Sequence, residues 1–224
     1  MHLNSIEESV AEISNSLPAE VMLVAAAKTR SPEEVQAAID AGIKILGYNY
    51  LQEAERIYQI IGNTVKWHMI GHLQRNKVKI AINLFDMIET IDTIKLAGEV
   101  NKRCAEINKI MPVLIEINSG KELNKTGVLP EEVDELIKQI SSFPNIHVQG
   151  LMTMGPRFGS PEDARPFFKA TKIAFDRLSK AGIPNIEMRY LSMGMSNSYK
   201  IAIEEGANIV RIGTKLFGER SCQL

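Results

Sequence analysis

The chain has 224 residues, of which 45% are hydrophobic and 24% charged, and its formal net charge is -1. This near-average composition excludes a disordered chain, and the length is sufficient for one large domain with a buried core. Because the balanced charge leaves no strongly basic face for a phosphate backbone, it also argues against a nucleic-acid-binding protein.

The two cysteines, Cys104 and Cys222, lie far apart and have no metal-ligand spacing. This usage predicts a reducing compartment and no structural zinc. The polar, acidic opening over residues 1–14 does not resemble a signal peptide, and nowhere do about 18 apolar residues follow one another. The sequence therefore predicts a cytoplasmic protein without a metal or a membrane span.

In chain order, a helix over about residues 4–16 is followed by short apolar runs that alternate with amphipathic stretches. Each run has strand length, is rich in Val, Ile, Leu or Met, and is bounded by polar or turn residues. The eight runs cover residues 21–27, 43–49, 65–71, 84–92, 111–118, 146–154, 186–192 and 207–214.

The stretches between the runs carry helix signals. In SPEEVQAAIDAG, Ser31 is placed as an N-cap, Pro32 at the first helical position and Gly42 just past the end. Residues 130–142 place their apolar side chains on one helical face. Residues 154–166, with three prolines and two glycines, are expected to form a long, lid-like connection.

About eight strands alternating with helices predict parallel βαβ units, in a closed barrel or a doubly wound sheet. The strand count and the late position of the last strand favour the barrel. No GxGxxG follows the first strand, which disfavours a dinucleotide-binding sheet. Because no linker divides the chain, we expect a single (β/α)₈ TIM-type barrel domain over residues 1–224, with the barrel itself at about 20–218.

The working face of such a barrel lies at the carboxyl ends of its strands. The first apolar run, VMLVAAAKTR, ends on Lys28. A lysine there either extends to solvent or, kept partly neutral in a desolvated site, acts as a nucleophilic Schiff-base amine.

The last two strands point to an anion site. Ser196 or Asn197 is expected to cap the helix that ends at Gly206, and a helix start after strand seven is where such barrels hold phosphate. Side chains alternate between the two faces of a strand, and this alternation directs Arg211 into the barrel interior, where its guanidinium needs hydrogen-bond acceptors. The backbone N–H groups of Gly213 and Thr214 follow it. A phosphate site facing a reactive lysine suggests pyridoxal 5′-phosphate (PLP).

Other polar residues carry weaker signals. His68 and His72 have poor metal geometry. The basic GHLQRNK segment is either an RNA-contacting face or a solvated helix surface. Glu89, Asp92 and Glu116 are either general acid–base groups or partners of nearby Lys or Arg.

Four segments, in this order, carry a resemblance: AAAKTR, WHMIGHLQRNK, GLMTMGP and LSMGMSNSYKIAIEEGANIVRIGTKLFG. Together they resemble the PLP homeostasis proteins (the YggS/PROSC family) over about residues 20–218. The resemblance implies the fold type III β/α barrel of the alanine racemase N-terminal domain, with PLP as cofactor.

It also implies a set of cofactor-binding residues and no catalytic one. Lys28 would carry the cofactor as an internal aldimine, Arg211 would face the pyridine nitrogen, and Asn49 would lie beside the ring. The phosphate would be held by Ser196 and the backbone of Asn197, Gly213 and Thr214. Met193 and Gly194 would line the same wall.

Three positions depart from the family pattern. Tyr48 stands where the family usually has glutamate between glycine and asparagine, which replaces a carboxylate with a phenol at the expected rim. Ser198 stands where aspartate is common, and Thr90 where serine is common. None of these changes affects the expected aldimine.

The resemblance and the expected site lead to one main function and two alternatives. A guanidinium facing the ring nitrogen disfavours ring protonation and weakens the ring as an electron sink. Since the sequence stops about ten residues after the last strand, we expect no second, racemase-type domain. The main interpretation is a monomeric, non-catalytic protein that buffers PLP and delivers it to apo-enzymes. The alternatives are a weak racemase or related amino-acid enzyme that uses Lys28 and one open face, and an interaction module using the GHLQRNK face. Tyr48 or Tyr50 could in principle replace the missing racemase base, but no two-base arrangement is evident.

Overall fold

The computed structural model describes residues 3–122, 126–156 and 159–219. Eight parallel strands form a closed barrel in which each strand pairs with the next and β8 returns to β1. All eight predicted strands are confirmed. They are β1 (Met22–Ala26), β2 (Ile45–Tyr48), β3 (Lys66–Met69), β4 (Met87–Ile91), β5 (Met111–Ile117), β6 (Ile146–Thr153), β7 (Ile186–Ser192) and β8 (Ile209–Ile212).

Helices follow the strands in alternation, after an N-terminal helix that confirms the predicted one. They are α1 (Leu3–Ser16), α2 (Pro32–Asp40), α3 (Leu51–Ile61), α4 (Val78–Leu84), α5 (Ile94–Glu106), α6 (Val133–Ile140), α7 (Arg165–Ser179), α8 (Tyr199–Glu204) and α9 (Thr214–Phe217). Short 3₁₀ turns at Arg75–Lys77 and Pro161–Ala164 precede α4 and α7.

Helix α2 begins as its sequence predicts. The hydroxyl of Ser31 accepts the backbone N–H of Glu34, and the Glu34 carboxylate accepts the backbone N–H of Ser31. This reciprocal capping box satisfies two of the donors that a helix start leaves unpaired. The capping box therefore holds the backbone in one conformation a few residues after Lys28.

Alternation along the strands produces two apolar layers. A small cluster fills the barrel interior: Val24, Ile70, Met87, Leu114, Met152 and Ile209. The larger cluster lies between the strands and the helices that surround them. This is the arrangement expected when successive side chains of a barrel strand face opposite sides.

Tyr48 belongs to the outer layer, which corrects the expectation that it lies at the rim. A Cβ at Gly47 would lie 2.7 Å from Val24 Cγ1, so Gly47 faces the interior and its neighbour Tyr48 faces outward. Tyr48 is 1% exposed and stacks on Trp67, with ring centroids 5.6 Å apart. Its hydroxyl has no hydrogen-bond partner among the described residues.

Barrel closure places the first and last strands side by side. β1 pairs with β8 over four residues, from Met22 with Ile209 to Ala25 with Ile212. The segment that follows β1, which contains Lys28, therefore lies next to the segment that follows β8. This adjacency creates the candidate site.

Several sequence-based expectations concern other parts of the chain. Cys104 is buried in α5, whereas Cys222 and residues 157–158 of the expected lid-like loop lie outside the described residues. In the part of the chain that the structure describes, no group of three or more His, Cys, Asp or Glu side chains is placed to hold a metal. Within the same ranges, none of the helices has both the length and the apolar character needed to cross a membrane.

Candidate functional site

A cavity of about 450 Å³ opens at the carboxyl ends of β1, β7 and β8. Six of the predicted site residues line it: Lys28, Ser196, Asn197, Arg211, Gly213 and Thr214. Ala26, Arg30 and Met195 complete the lining. The volume lies within the range of small-molecule sites. The lining includes three cationic side chains and no carboxylate.

Ser196 joins the loops that follow β7 and β8. Its hydroxyl accepts the backbone N–H groups of Gly213 and Lys215, each at 3.3 Å. A Cβ at Gly213 would lie 3.1 Å from the carbonyl oxygen of Ala26, so a glycine here allows β8 to pass close to β1. The convergence of a hydroxyl and backbone N–H groups suits an anionic group such as phosphate.

The expected cap of α8 is wrong by one or two residues. Ser198, and neither Ser196 nor Asn197, is the residue that precedes the helix. Ser198 Oγ accepts the backbone N–H of Met195 at 3.3 Å and so closes the turn before α8. The Ser196 hydroxyl instead faces the segment after β8, where it accepts the backbone N–H groups of Gly213 and Lys215.

Lys28 lies half-buried on a tight turn after β1. Arg30 N–H donates to the carbonyl of Ala27 at 3.2 Å, and Thr29 N–H donates to Glu53 Oε2 at 3.2 Å. Thr29 has a φ of 63°, a left-handed conformation that a β-branched residue rarely adopts. Strain of this kind, held by surrounding hydrogen bonds, is typical of functional sites.

Arg30 is a residue of the site that the sequence analysis missed. Its guanidinium donates to the carbonyls of Phe217 and Gly218 at the end of α9 and to Glu34 Oε1, and it lies over the Phe217 ring. These contacts connect the turn that carries Lys28 to the segment after β8. The sequence feature that could have indicated this role is the placement of Arg30 two positions after Lys28, with Glu34 one helical turn further on.

Arg211 points into the barrel, as alternation predicts, and is 3% exposed. Nη2 donates to the carbonyl of Thr153 at 2.8 Å, and Nη1 donates to the Ser192 hydroxyl. The expectation that a buried arginine needs acceptors is therefore confirmed. Burial lowers the pKa of Arg211, which the charges of Glu89 and Glu116 oppose.

A buried carboxylate continues this network across the barrel. Ser192 Oγ donates to Glu89 Oε2 at 2.6 Å, and His68 Nδ1 lies 2.7 Å from Glu89 Oε1. Burial raises the pKa of Glu89, but the hydrogen bonds from His68 and Ser192 and the charge of Arg211 outweigh it and hold that pKa below its usual value. Of the two expected roles of this carboxylate, the structure favours the partner of a nearby cation.

Glu116, the other buried acid on the barrel strands, differs from this pattern. Thr126 Oγ1 donates to its Oε1 at 2.9 Å, and Glu116 forms no ion pair with the described Lys or Arg residues. Burial raises its pKa. Glu116 is thus a carboxylate that is costly to keep ionised.

Three predicted site residues do not line the main cavity. Asn49 lines a neighbouring cavity of about 330 Å³ at the ends of β2 and β3, together with His72 and Lys77. Met193 is fully buried in the outer layer. Gly194 contributes its carbonyl, which accepts the Arg211 backbone N–H at 3.1 Å. Met193 and Gly194 therefore stabilise the β7–β8 side of the cavity through packing and a backbone hydrogen bond, without lining the cavity.

Chemically, the main cavity combines an amine, anion-binding donors and a buried guanidinium. Such a set fits a small molecule that carries a phosphate and a group reactive toward amines. The absence of carboxylates among its lining residues removes the repulsion that would oppose an anion.

Comparison with known proteins gives this fold and cavity a family context. Residues 1–221 match the family "Alanine racemase, N-terminal domain". A pyridoxal phosphate homeostasis protein of Aquifex aeolicus is 43% identical over 199 residues, which cover 88% of this chain and 86% of the relative.

Solved structures give the same picture. PipY of Synechococcus elongatus, solved with PLP bound, superimposes with a TM-score of 0.87 at 28% identity, covering 95% of this chain and all (100%) of PipY. An alanine racemase of Clostridium difficile superimposes with a TM-score of 0.79 at 17% identity, covering 98% of this chain and 57% of the racemase. The racemase likeness is one of fold.

Proposed function

Because the chain belongs to the family of pyridoxal phosphate homeostasis proteins built on the alanine racemase N-terminal domain, we propose that its main cavity binds PLP. The protein then serves intracellular PLP homeostasis by holding and releasing the cofactor. The observation that carries this proposal is the meeting of Lys28, Ser196 and Arg211 in one cavity.

Seven of the predicted site residues would hold the cofactor. The amine of Lys28 would hold the aldehyde, and Ser196 with the backbone of Asn197, Gly213 and Thr214 would bind the phosphate. Arg211 would face the ring nitrogen, and Asn49 would approach the ring from the neighbouring cavity. When bound, PLP supplies an aldehyde for covalent attachment and an electron-withdrawing ring.

We propose further that the protein stores PLP and does not turn over a substrate. The guanidinium of Arg211 keeps positive charge near the ring nitrogen, which disfavours ring protonation and the carbanion chemistry that depends on it. Of the two phenols named as substitute bases for the enzyme alternative, the buried, outward-facing Tyr48 cannot reach the cavity. Tyr50, which is 60% exposed, is the remaining phenol named for that alternative.

The proposed storage of PLP also defines the organisation and the partners that we expect for the protein. Residues 1–224 act as one PLP-binding domain, as a monomer, with apo-enzymes that need PLP as the recipients. The two widely spaced cysteines fit a reducing compartment, so we place this role in the cytoplasm.

Replacement of Lys28 tests the proposal directly. Purified protein is incubated with PLP, treated with borohydride and mapped by peptide mass spectrometry. In the wild type we expect a visible absorbance band that reduces onto the peptide containing Lys28. Lys28→Ala should lose this adduct and retain weaker, non-covalent binding through Ser196 and the backbone N–H groups, because the phosphate contacts remain.

Lys215→Ala is the matched control. Lys215 lies beside the same cavity, but its ammonium lies over the Tyr199 ring and has no assigned role in attachment. The control should keep the adduct. A wild-type protein that stays colourless with PLP would disprove cofactor binding, and an adduct that persists in Lys28→Ala would assign attachment to another lysine. Amino-acid turnover by the wild type that is lost in Lys28→Ala would favour the enzyme.

A further inference from the structure

Beneath the main cavity, a polar chain crosses the apolar barrel interior. It runs from His68 on β3 through Glu89 on β4 and Ser192 on β7 to Arg211 on β8. Glu89 is fully buried, and His68, Ser192 and Arg211 are each at most 5% exposed. Of the four, only Arg211 reaches the cavity. The proposed function gives no role to the other three.

The surroundings of Glu89 favour its carboxylate form. Its Oε2 accepts the Ser192 hydroxyl, and His68 Nδ1 lies 2.7 Å from its Oε1, where the Nδ1–H tautomer of the imidazole donates to an ionised acid. Ser192 in turn accepts from Arg211, so its single proton is committed to Glu89. The Ser192 hydroxyl thus connects a buried anion to a buried cation in a fixed direction.

Glu89 also supplies the counter-charge of Arg211. Arg211 Nη1 lies 3.7 Å from Glu89 Oε2, and both side chains are shielded from water. Glu116 is the other carboxylate whose charge acts on Arg211, and it is hydrogen-bonded to Thr126. A buried guanidinium that must face a cofactor needs an anion behind it, because an uncompensated charge in the interior is strongly disfavoured.

We propose that Glu89, acting through Ser192, is the positioning residue for Arg211, and that it sets how readily the bound cofactor is protonated. The inference rests on the proposed function, since it needs PLP in the cavity. With Glu89 ionised, the charge that Arg211 presents to the ring is partly neutralised. Without Glu89, the full positive charge acts on the cofactor, and protonation there becomes harder.

Glu89→Gln tests this with nearly unchanged shape. His68 can change tautomer to accept from the new amide, so the substitution removes charge with little change in packing. We expect the pH midpoint of the change in the cofactor's visible absorbance to move to lower pH by about one unit. The measurement is a pH titration of the absorbance of the PLP-loaded protein.

Glu116→Gln is the matched control, because it removes a second buried carboxylate of the barrel that has no hydrogen bond to Ser192 or Arg211. It should move the midpoint less than half as far. Ser192→Ala provides a second test should Glu89→Gln not fold. It keeps the Glu89 charge but removes the hydroxyl bridge, so its midpoint should shift in the same direction by a smaller amount.

The outcomes separate this inference from the proposed function. A wild-type protein that takes up no PLP overturns both. A wild type that binds PLP, with Glu89→Gln and Ser192→Ala titrating as the wild type does, overturns only the role of Glu89. Equal shifts in Glu89→Gln and Glu116→Gln would also overturn it, because they would show a general effect of interior charge.

Discussion

Tyr48 shows how one residue affects stability without touching the candidate site. Its ring packs well, stacked on Trp67, which Tyr58 contacts edge-on at 5.2 Å. The hydroxyl, however, leaves water on folding and gains no partner among the described residues. Burial therefore raises its pKa well above the usual value, with the charge of Glu53 adding to the effect.

Tyr48→Phe should therefore stabilise the protein. Removal of an unpaired buried hydroxyl is expected to raise the free energy of unfolding by about 1 kcal/mol. Urea denaturation measures the change. Tyr58→Phe is the control, because Tyr58 contacts the same tryptophan but is only half-buried, and it should have little effect. A destabilised Tyr48→Phe variant would show that the hydroxyl has a partner.

At this scale the sequence predicts orientation better than contacts. The alternation of side chains along a strand correctly predicts that Arg211 faces inward. The same alternation means that Tyr48 faces outward, because its neighbour Gly47 faces inward. Nothing in the order of residues indicates that Glu89 meets Ser192, because they lie on strands β4 and β7 and come together only when the barrel closes.

At the scale of elements, the ends of β7 and β8 act as one unit. Ser196 connects them by accepting two backbone N–H groups from the segment after β8. In the proposed function the same hydroxyl and N–H groups bind phosphate. In that function, the element ends, and not the strands themselves, would determine phosphate affinity.

Ser196→Ala should lower PLP affinity about 10-fold, since one hydrogen bond to a charged group is lost. Attachment of pyridoxal, which lacks the phosphate, should be unaffected. Titration of absorbance with each compound measures both values. Ser198→Ala, two residues away in the same loop, is the control and should bind PLP nearly as the wild type does. Equal losses for PLP and pyridoxal would contradict a phosphate role for Ser196.

The elements themselves were predictable, whereas their boundaries and caps were less so. Strands buried on both faces, such as β4 and β8, read as continuous apolar runs, whereas β7 is identified by apolar residues that alternate with the exposed Glu187 and Arg189. The runs 43–49 and 207–214 extend beyond β2 and β8, because each begins with a buried apolar residue, Ile43 or Ala207, that lies before its strand. The cap of α8 was misplaced because Ser196, Asn197 and Ser198 are all good N-caps, and only the fold decides among them.

For the whole molecule, two buried carboxylates act on stability in opposite directions as pH changes. The pKa of Glu89 is lower in the folded chain than in the unfolded chain. Ionised Glu89 therefore stabilises the fold when the pH is above the pKa of the unfolded chain, and this contribution is lost as the pH falls through the pKa of the folded chain. The pKa of Glu116 is raised by burial, so ionised Glu116 costs stability above that raised value, and the cost vanishes below the ordinary 4.5.

Glu116→Gln should therefore raise the free energy of unfolding near neutral pH, and the gain should disappear in acid. Its amide oxygen can still accept from Thr126. Urea unfolding of wild type and variant at about pH 7 and about pH 4 tests both parts of the expectation. A gain of equal size at both pH values would show that packing, and not ionisation, is responsible. Glu89→Gln should show the reverse, with a loss at neutral pH that shrinks in acid.

The pairing of β1 with β8 has a consequence for how the protein is made. Lys28 leaves the ribosome early, but the partner segments of its cavity belong to the last strand of the barrel and are synthesised late. Contacts so distant along the chain form slowly. Until the two strands meet, no pocket exists, so a half-made chain cannot capture the cofactor. A ligand that binds only the folded state stabilises that state. Binding of PLP would therefore stabilise the pairing of β1 with β8, and only a completely folded chain would bind it.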